Sequence, residues 1–218
     1  MMRAARMIAG SLVLCPALML SACGGLLESR LDSPQSYVLR LPPPPSQPGD
    51  TPLGSVLVQR PETGPGLHTD RIALVRDGGR FDFYEAARWA APTPDLLESA
   101  LVDALRATGR YSAVMDDASP FAPRYDLRVT LRRFEADYAS GGTNPVIHVV
   151  MDCTLGRRRD RQLLASFTAQ GSSRAGANRL SAVIAAFESA SAAAVAQLLG
   201  ATHEAVSADS RAAESEGR

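Results

Sequence analysis

Apolar and polar positions change rhythm along this chain, and each change marks an element. The clearest alternation is RYDLRVTLRRFEADY (124–138), where Tyr125, Leu127, Val129 and Leu131 share one face and Asp126, Arg128, Thr130 and Arg132 the other. A period of two predicts a strand with one buried and one wet face. The rhythm slips at Arg133 and Phe134, where a bulge would return the aromatic ring to the buried side. Shorter strand-like runs precede it at SYVLRL (36–41), SVLVQRP (55–61), DRIALVRD (70–77), RFDFYEAARWA (80–90) and YSAVMDD (111–117). Asp77-Gly78-Gly79 joins two of these runs with the chemistry of a hairpin turn. Further on, PVIHVVMDCTLG (145–156) and QLLASFTAQG (162–171) flank the polar segment Arg157 to Arg161, as the arms of a hairpin would.

Two stretches follow the helical spacing of three and four instead. The first spans about 93–108: Thr93 is placed as N-cap, Pro94 at the first helical position and Asp95 in the first turn, with Leu97, Leu101, Ala104, Leu105 and Thr108 on one face and Gly109 closing the helix. The second spans about 178–199, with Leu180, Ile184, Phe187, Ser191, Val195 and Leu198 on one stripe and Gly200 at its end. Residues 201–218 are polar and rich in Ala and Glu, and are expected to be a disordered tail. Pro42 to Pro45 would stop the first strand as a stiff extended connector, or serve as the ligand of a proline-binding module. Strands and helices in this order predict an α+β fold: a single domain over 36–200, with an antiparallel sheet backed by two main helices. Trp89, the single tryptophan, is expected in core or interface packing.

The amino terminus has a different character. Arg3 and Arg6 precede an apolar run from Met7 to Leu20, and Leu20-Ser21-Ala22-Cys23 follows. That 14-residue run is short of the ~20 residues needed to span a bilayer. A basic start, a short apolar core and small residues ahead of a cysteine resemble a bacterial lipoprotein signal peptide. The resemblance implies that residues 1–22 are removed, that Cys23 carries diacylglycerol on its sulfur and an acylated amino group, and that residues 23–35 form the lipidated cysteine and a tether. Three acyl chains would hold the protein to a membrane permanently. Gly24 stands where an Asp retains enteric lipoproteins at the inner membrane, so the resemblance points to the periplasmic face of the outer membrane. All 23 basic residues are Arg, which points to a GC-rich genome.

Charge and cysteine content narrow the function. Losing Arg3 and Arg6 leaves 21 basic residues against 23 acidic ones, a balance that gives no footing for nucleic acid. Cys15 leaves with the leader and Cys23 takes lipid, so only Cys153 remains, inside the apolar run VIHVVMDCTL, where a small buried hydrophobe is the expected role. His68, His148 and His203 are too scattered for a metal site, no cofactor motif occurs, and no catalytic constellation is visible. Arg157, Arg158, Arg159 and Arg161 form the densest charge cluster. They read as a solvated hairpin turn, or as a contact for anionic headgroups or an acidic partner surface.

The LSAC box, the YVLRL strand, IALVRDGGRFDFYEAARWAAPTPDLLESAL, YDLRVTLRRFEADY and the helix AAFESASAAAVAQLL, in that order, resemble the ABC-type transport auxiliary lipoprotein family, which includes the paraquat-inducible lipoprotein. The likeness spans about residues 20–200. It implies a non-enzymatic periplasmic partner of an ABC permease and ATPase and of their mammalian-cell-entry (MCE) domain protein, in systems that move lipids or other hydrophobic molecules between two membranes. It also allows a homo-oligomeric ring. The competing reading is an accessory lipoprotein of another envelope machine, for lipopolysaccharide or outer-membrane protein assembly. If Cys23 is the acylated residue, Cys23→Ser should leave the leader uncleaved and remove the acyl mass in intact-protein mass spectrometry; an unchanged acylated species would refute the assignment.

Overall fold

The computed structural model describes residues 33–46, 52–139 and 142–216. Its strands are β1 (Gln35–Tyr37), β2 (Val56–Val58), β3 (Glu62–Thr63), β4 (Arg71–Arg76), β5 (Arg80–Trp89), β6 (Val114–Met115), β7 (Tyr125–Asp137), β8 (Val146–Arg157) and β9 (Gln162–Arg174). Helix α1 is Thr93–Ala107 and helix α2 is Leu180–Glu216. The fold is α+β: one curled mixed sheet with two helices, in a single domain.

The long strands β7, β8 and β9 form an antiparallel meander, and β9 pairs with β8 alone among the described strands. Along the other edge of β7 three short strands attach in succession: β2 beside Tyr125–Leu127, β3 beside Thr130–Leu131, β4 beside Glu135–Asp137. All three attachments are parallel, so the sheet is mixed where a purely antiparallel one was expected. The reason is the connection: parallel neighbours need a crossover of a dozen or more residues, and the segment carrying α1 supplies it. Strand β5 returns antiparallel on β4, and β1 lies parallel to the end of β5.

The slip in the β7 alternation is a bulge. Pairing steps from Leu131↔Met151 to Arg133↔Val150, which leaves Arg132 as the extra residue and turns Phe134 inward. Phe134 then meets Trp89 and Phe187, with ring centroids 5.5 and 5.0 Å away, and Trp89 lies 5.3 Å from Phe187. One aromatic cluster thus joins β5, β7 and α2.

Helix α1 buries Leu97, Leu101, Ala104 and Leu105, and Gly109 closes it in the left-handed region (φ 68°). Thr93 is not the N-cap: it is the first helical residue, and its hydroxyl donates to the Thr69 carbonyl at 2.8 Å. Helix α2 continues well past Leu199. Gly200 is a helical residue there, and the expected disordered tail at 201–218 is helix through Glu216. The buried stripe explains the difference. After Phe187, Ser191, Ala194 and Leu198 it runs on through Thr202, Val206 and Asp209 at the same spacing. Tertiary burial outweighs the ~1 kcal/mol that an interior glycine costs relative to alanine. By length and composition α2 could cross a membrane, yet half of its apolar window is buried inside the domain.

Small residues set how close α2 comes. A Cβ on Gly171 of β9 would stand 2.0 Å from the Ala190 carbonyl oxygen and 2.9 Å from the Ala194 nitrogen. Backbone cannot yield as a flexible side chain can. Gly171→Val should therefore lose at least about 2 kcal/mol in urea unfolding, whereas Gly176→Ala, with open space around it, should stay within about 0.5 kcal/mol. Equal effects would disprove the close contact.

Candidate functional site

The β8–β9 turn gathers the arginine cluster and divides it by role. Arg157 is committed to structure, its side chain only 13% exposed. It donates from Nε to both Asp160 oxygens at 3.0 and 3.2 Å and from Nη2 to Asp160 Oδ2 at 2.6 Å. Its guanidinium also reaches Gln162 and, through Nη1, Asp209 of α2. These partners raise the Arg157 pKa, chiefly through the Asp160 hydrogen bonds, and the same bonds hold the Asp160 carboxyl at about 2.

Asp209 is the counterpart in α2. It is almost fully buried, accepts a 2.9 Å hydrogen bond from the Tyr125 hydroxyl, and lies 3.6 Å from Arg124 Nη2. Burial raises the Tyr125 pKa, so the phenol stays a donor. One carboxylate therefore clasps the far part of α2 to the start of β7 and the end of β8.

The other three arginines face outward. Arg158 Nη1 pairs with Asp126 at 3.2 Å, and Arg159 is 3.9 Å from Asp160 with its side chain 68% exposed. Arg161 holds a left-handed backbone (φ 58°), the only non-glycine residue to do so among those described. Arg158 and Arg161 line an open cavity of about 520 Å3 on the wet face of the sheet, together with Gln59, Asp126, Arg128, Thr154, Gly156, Arg157 and Leu163. So Arg157, Arg158 and Arg161 come together at one cavity, and Arg159 does not line it. Sequence reasoning missed Asp209 and the joining of Gln59 and Arg128 to the cluster. Arg128 was visible on the wet face of the β7 alternation, and Asp209 on the continued helical spacing; Gln59 gave no signal before β2 was placed beside β7.

The remaining chemistry is quiet. Cys153 is buried, and burial pushes its thiol up to about 12, which leaves no thiolate near neutral pH. His148 lies 3.8 Å from Asp137, with its pKa lowered by burial and by Arg133. His203 contacts Arg110 and is likewise lowered by burial. Among the described residues no group of three or more His, Cys, Asp and Glu is placed to hold a metal. Cys23 lies outside the described residues.

This architecture, a mixed sheet with a long covering helix, defines a small α+β domain. The description of the ABC-type transport auxiliary lipoprotein component matches residues 37–199, and the chain belongs to that family. Among solved structures it is similar to a Xanthomonas campestris protein, 28% identical, with a TM-score of 0.72 over 83% of this chain and 99% of that one. A second crystal structure, of an uncharacterized protein, is 14% identical with a TM-score of 0.59 over 77% of this chain and 97% of that one, and shares the fold. No curated protein matches.

Removing one partner from a buried ion pair strands the other, so Asp209→Ala should cost about 3 kcal/mol in chemical unfolding, and Asp209→Asn, which keeps a hydrogen-bond acceptor, should cost less. A loss below about 0.5 kcal/mol for both would show that the clasp is absent. The Asp160 carboxyl sits below its ordinary value of 3.8, so its pairing with Arg157 is complete above that value and is lost only as pH falls through about 2. Side-chain carboxyl NMR should accordingly find Asp160 ionised at pH 3.

Proposed function

We propose that the chain is a lipid-anchored periplasmic component of an ABC/MCE-type transport system. In this reading Cys23 carries the lipid, residues 24–35 tether the domain close to the membrane, and the domain docks on the MCE-domain protein to help move lipids or other hydrophobic molecules between the two membranes. The observation that carries the proposal is the family match over residues 37–199, which makes the domain an auxiliary of ABC-type transport. The lipobox supports the anchor, and Gly24 after Cys23 supports the outer membrane. Its role is mechanical and non-enzymatic, in keeping with an auxiliary component. Docking of a rigid sheet-and-helix body is within reach of such a domain.

Crosslinking the tagged, lipidated protein in its own host, followed by purification in mild detergent and mass spectrometry, tests the reading. An MCE-domain protein recovered with its permease and ATPase is the expected outcome. Recovery of an outer-membrane assembly barrel or of lipopolysaccharide-transport proteins, with no transporter component, would overturn it.

A further inference from the structure

We infer that the cavity walled by Arg128, Arg158 and Arg161 binds the phosphate of a glycerophospholipid headgroup. The charge arrangement carries this. Asp126, the one carboxylate lining the cavity, is taken by Arg158 at 3.2 Å, and nearby Asp160 is taken by Arg157. The side chains of Arg128 and Arg161 make no hydrogen bond or ion pair to any described residue, although both line the same space of about 520 Å3. Uncompensated guanidinium groups converging on one cleft suit a phosphate, which accepts their planar forks.

Backbone and floor agree with the charge. Arg161 occupies a left-handed turn position where glycine or asparagine would be unstrained, so the chain keeps a long cation at the mouth at a backbone cost. The floor is Gly156, opposite Asp126 on β7 and Leu163 on β9. A Cβ there would come no closer than 3.6 Å to the Gln162 carbonyl, so packing does not require glycine, and its lack of a side chain leaves the cavity open. Leu163, 62% exposed, gives one wall an apolar surface beside the arginines. Gln59 and Thr154 add neutral hydrogen-bonding groups. An anion with an adjoining apolar part fits this lining better than a bare ion or an acidic peptide. The inference is independent of which transport partner the domain docks on.

The mature lipoprotein in neutral maltoside micelles, titrated calorimetrically with dihexanoylphosphatidylglycerol and referenced to empty micelles, tests it. Saturable binding is expected, weakened by at least about tenfold in the double variant Arg128→Thr/Arg161→Gly, which removes two charge-assisted contacts. Gly156→Leu should block binding with every arginine still in place. It also serves if the double variant does not fold, and thermal melting reports folding of each. Binding that neither variant weakens would overturn the site. Inorganic phosphate or glycerol 3-phosphate binding as tightly as the lipid would make it a free-phosphate site and overturn the headgroup assignment. A glutamate-rich peptide binding where the lipid does not would overturn it in favour of an acidic protein partner.

Discussion

The structure depends on one contact more than any other, the close approach of α2 to β9 where Gly171 faces Ala190 and Ala194. Only a position without a side chain permits that separation. From it follows the placement of Phe187 against Trp89 and Phe134, since the ring reaches the cluster only if the helix lies low on the sheet. Burying apolar side chains of this size is worth about 1.5–3 kcal/mol each. The small residues Ala186, Ala190 and Ala194 contribute chiefly by letting the larger ones arrive.

Further along the helix, apolar packing gives way to charge. The stripe passes from Leu198 through Thr202 and Val206 to Asp209, whose carboxylate meets Arg157 and the Tyr125 hydroxyl. Buried ion pairs contribute little net stability against apolar substitutes, but their geometry is demanding. Here that geometry fixes where α2 lies against the ends of β7 and β8. It also occupies the guanidinium of Arg157 at the cavity wall, so one residue of the arginine run is structural while Arg158 and Arg161 line the same cavity without a bond to Asp209.

Much of this was legible in the chain. The alternation of β7, its bulge before Phe134, the β4–β5 hairpin and the buried face of α1 follow from local period and turn chemistry, which depend on neighbours in sequence. The parallel attachments of β2, β3 and β4 were not legible, because strand direction in a sheet is settled by where α1 carries the chain and not by the residues of the strands themselves. The length of α2 was misjudged for a related reason. Gly200 and a polar composition signal an ending locally, and the contacts that override them come from residues 52 to 85 positions away in sequence, at Arg157 and Tyr125. The site divided in the same way: the arginine run is a sequence feature, whereas its separation into a clasp and a cavity wall needs Asp209 and Arg128 brought in from other elements.

Buried residues tie α2 to the rest of the domain from Phe187 as far as Asp209. Amide hydrogen exchange of the full-length protein tests this most directly. The account predicts that amides from Thr202 to Asp209 are protected to the same order as those from Phe187 to Leu198, as one cooperative unit. Exchange of Thr202 to Asp209 at the rate of an unstructured peptide, with Phe187 to Leu198 still protected, would contradict it.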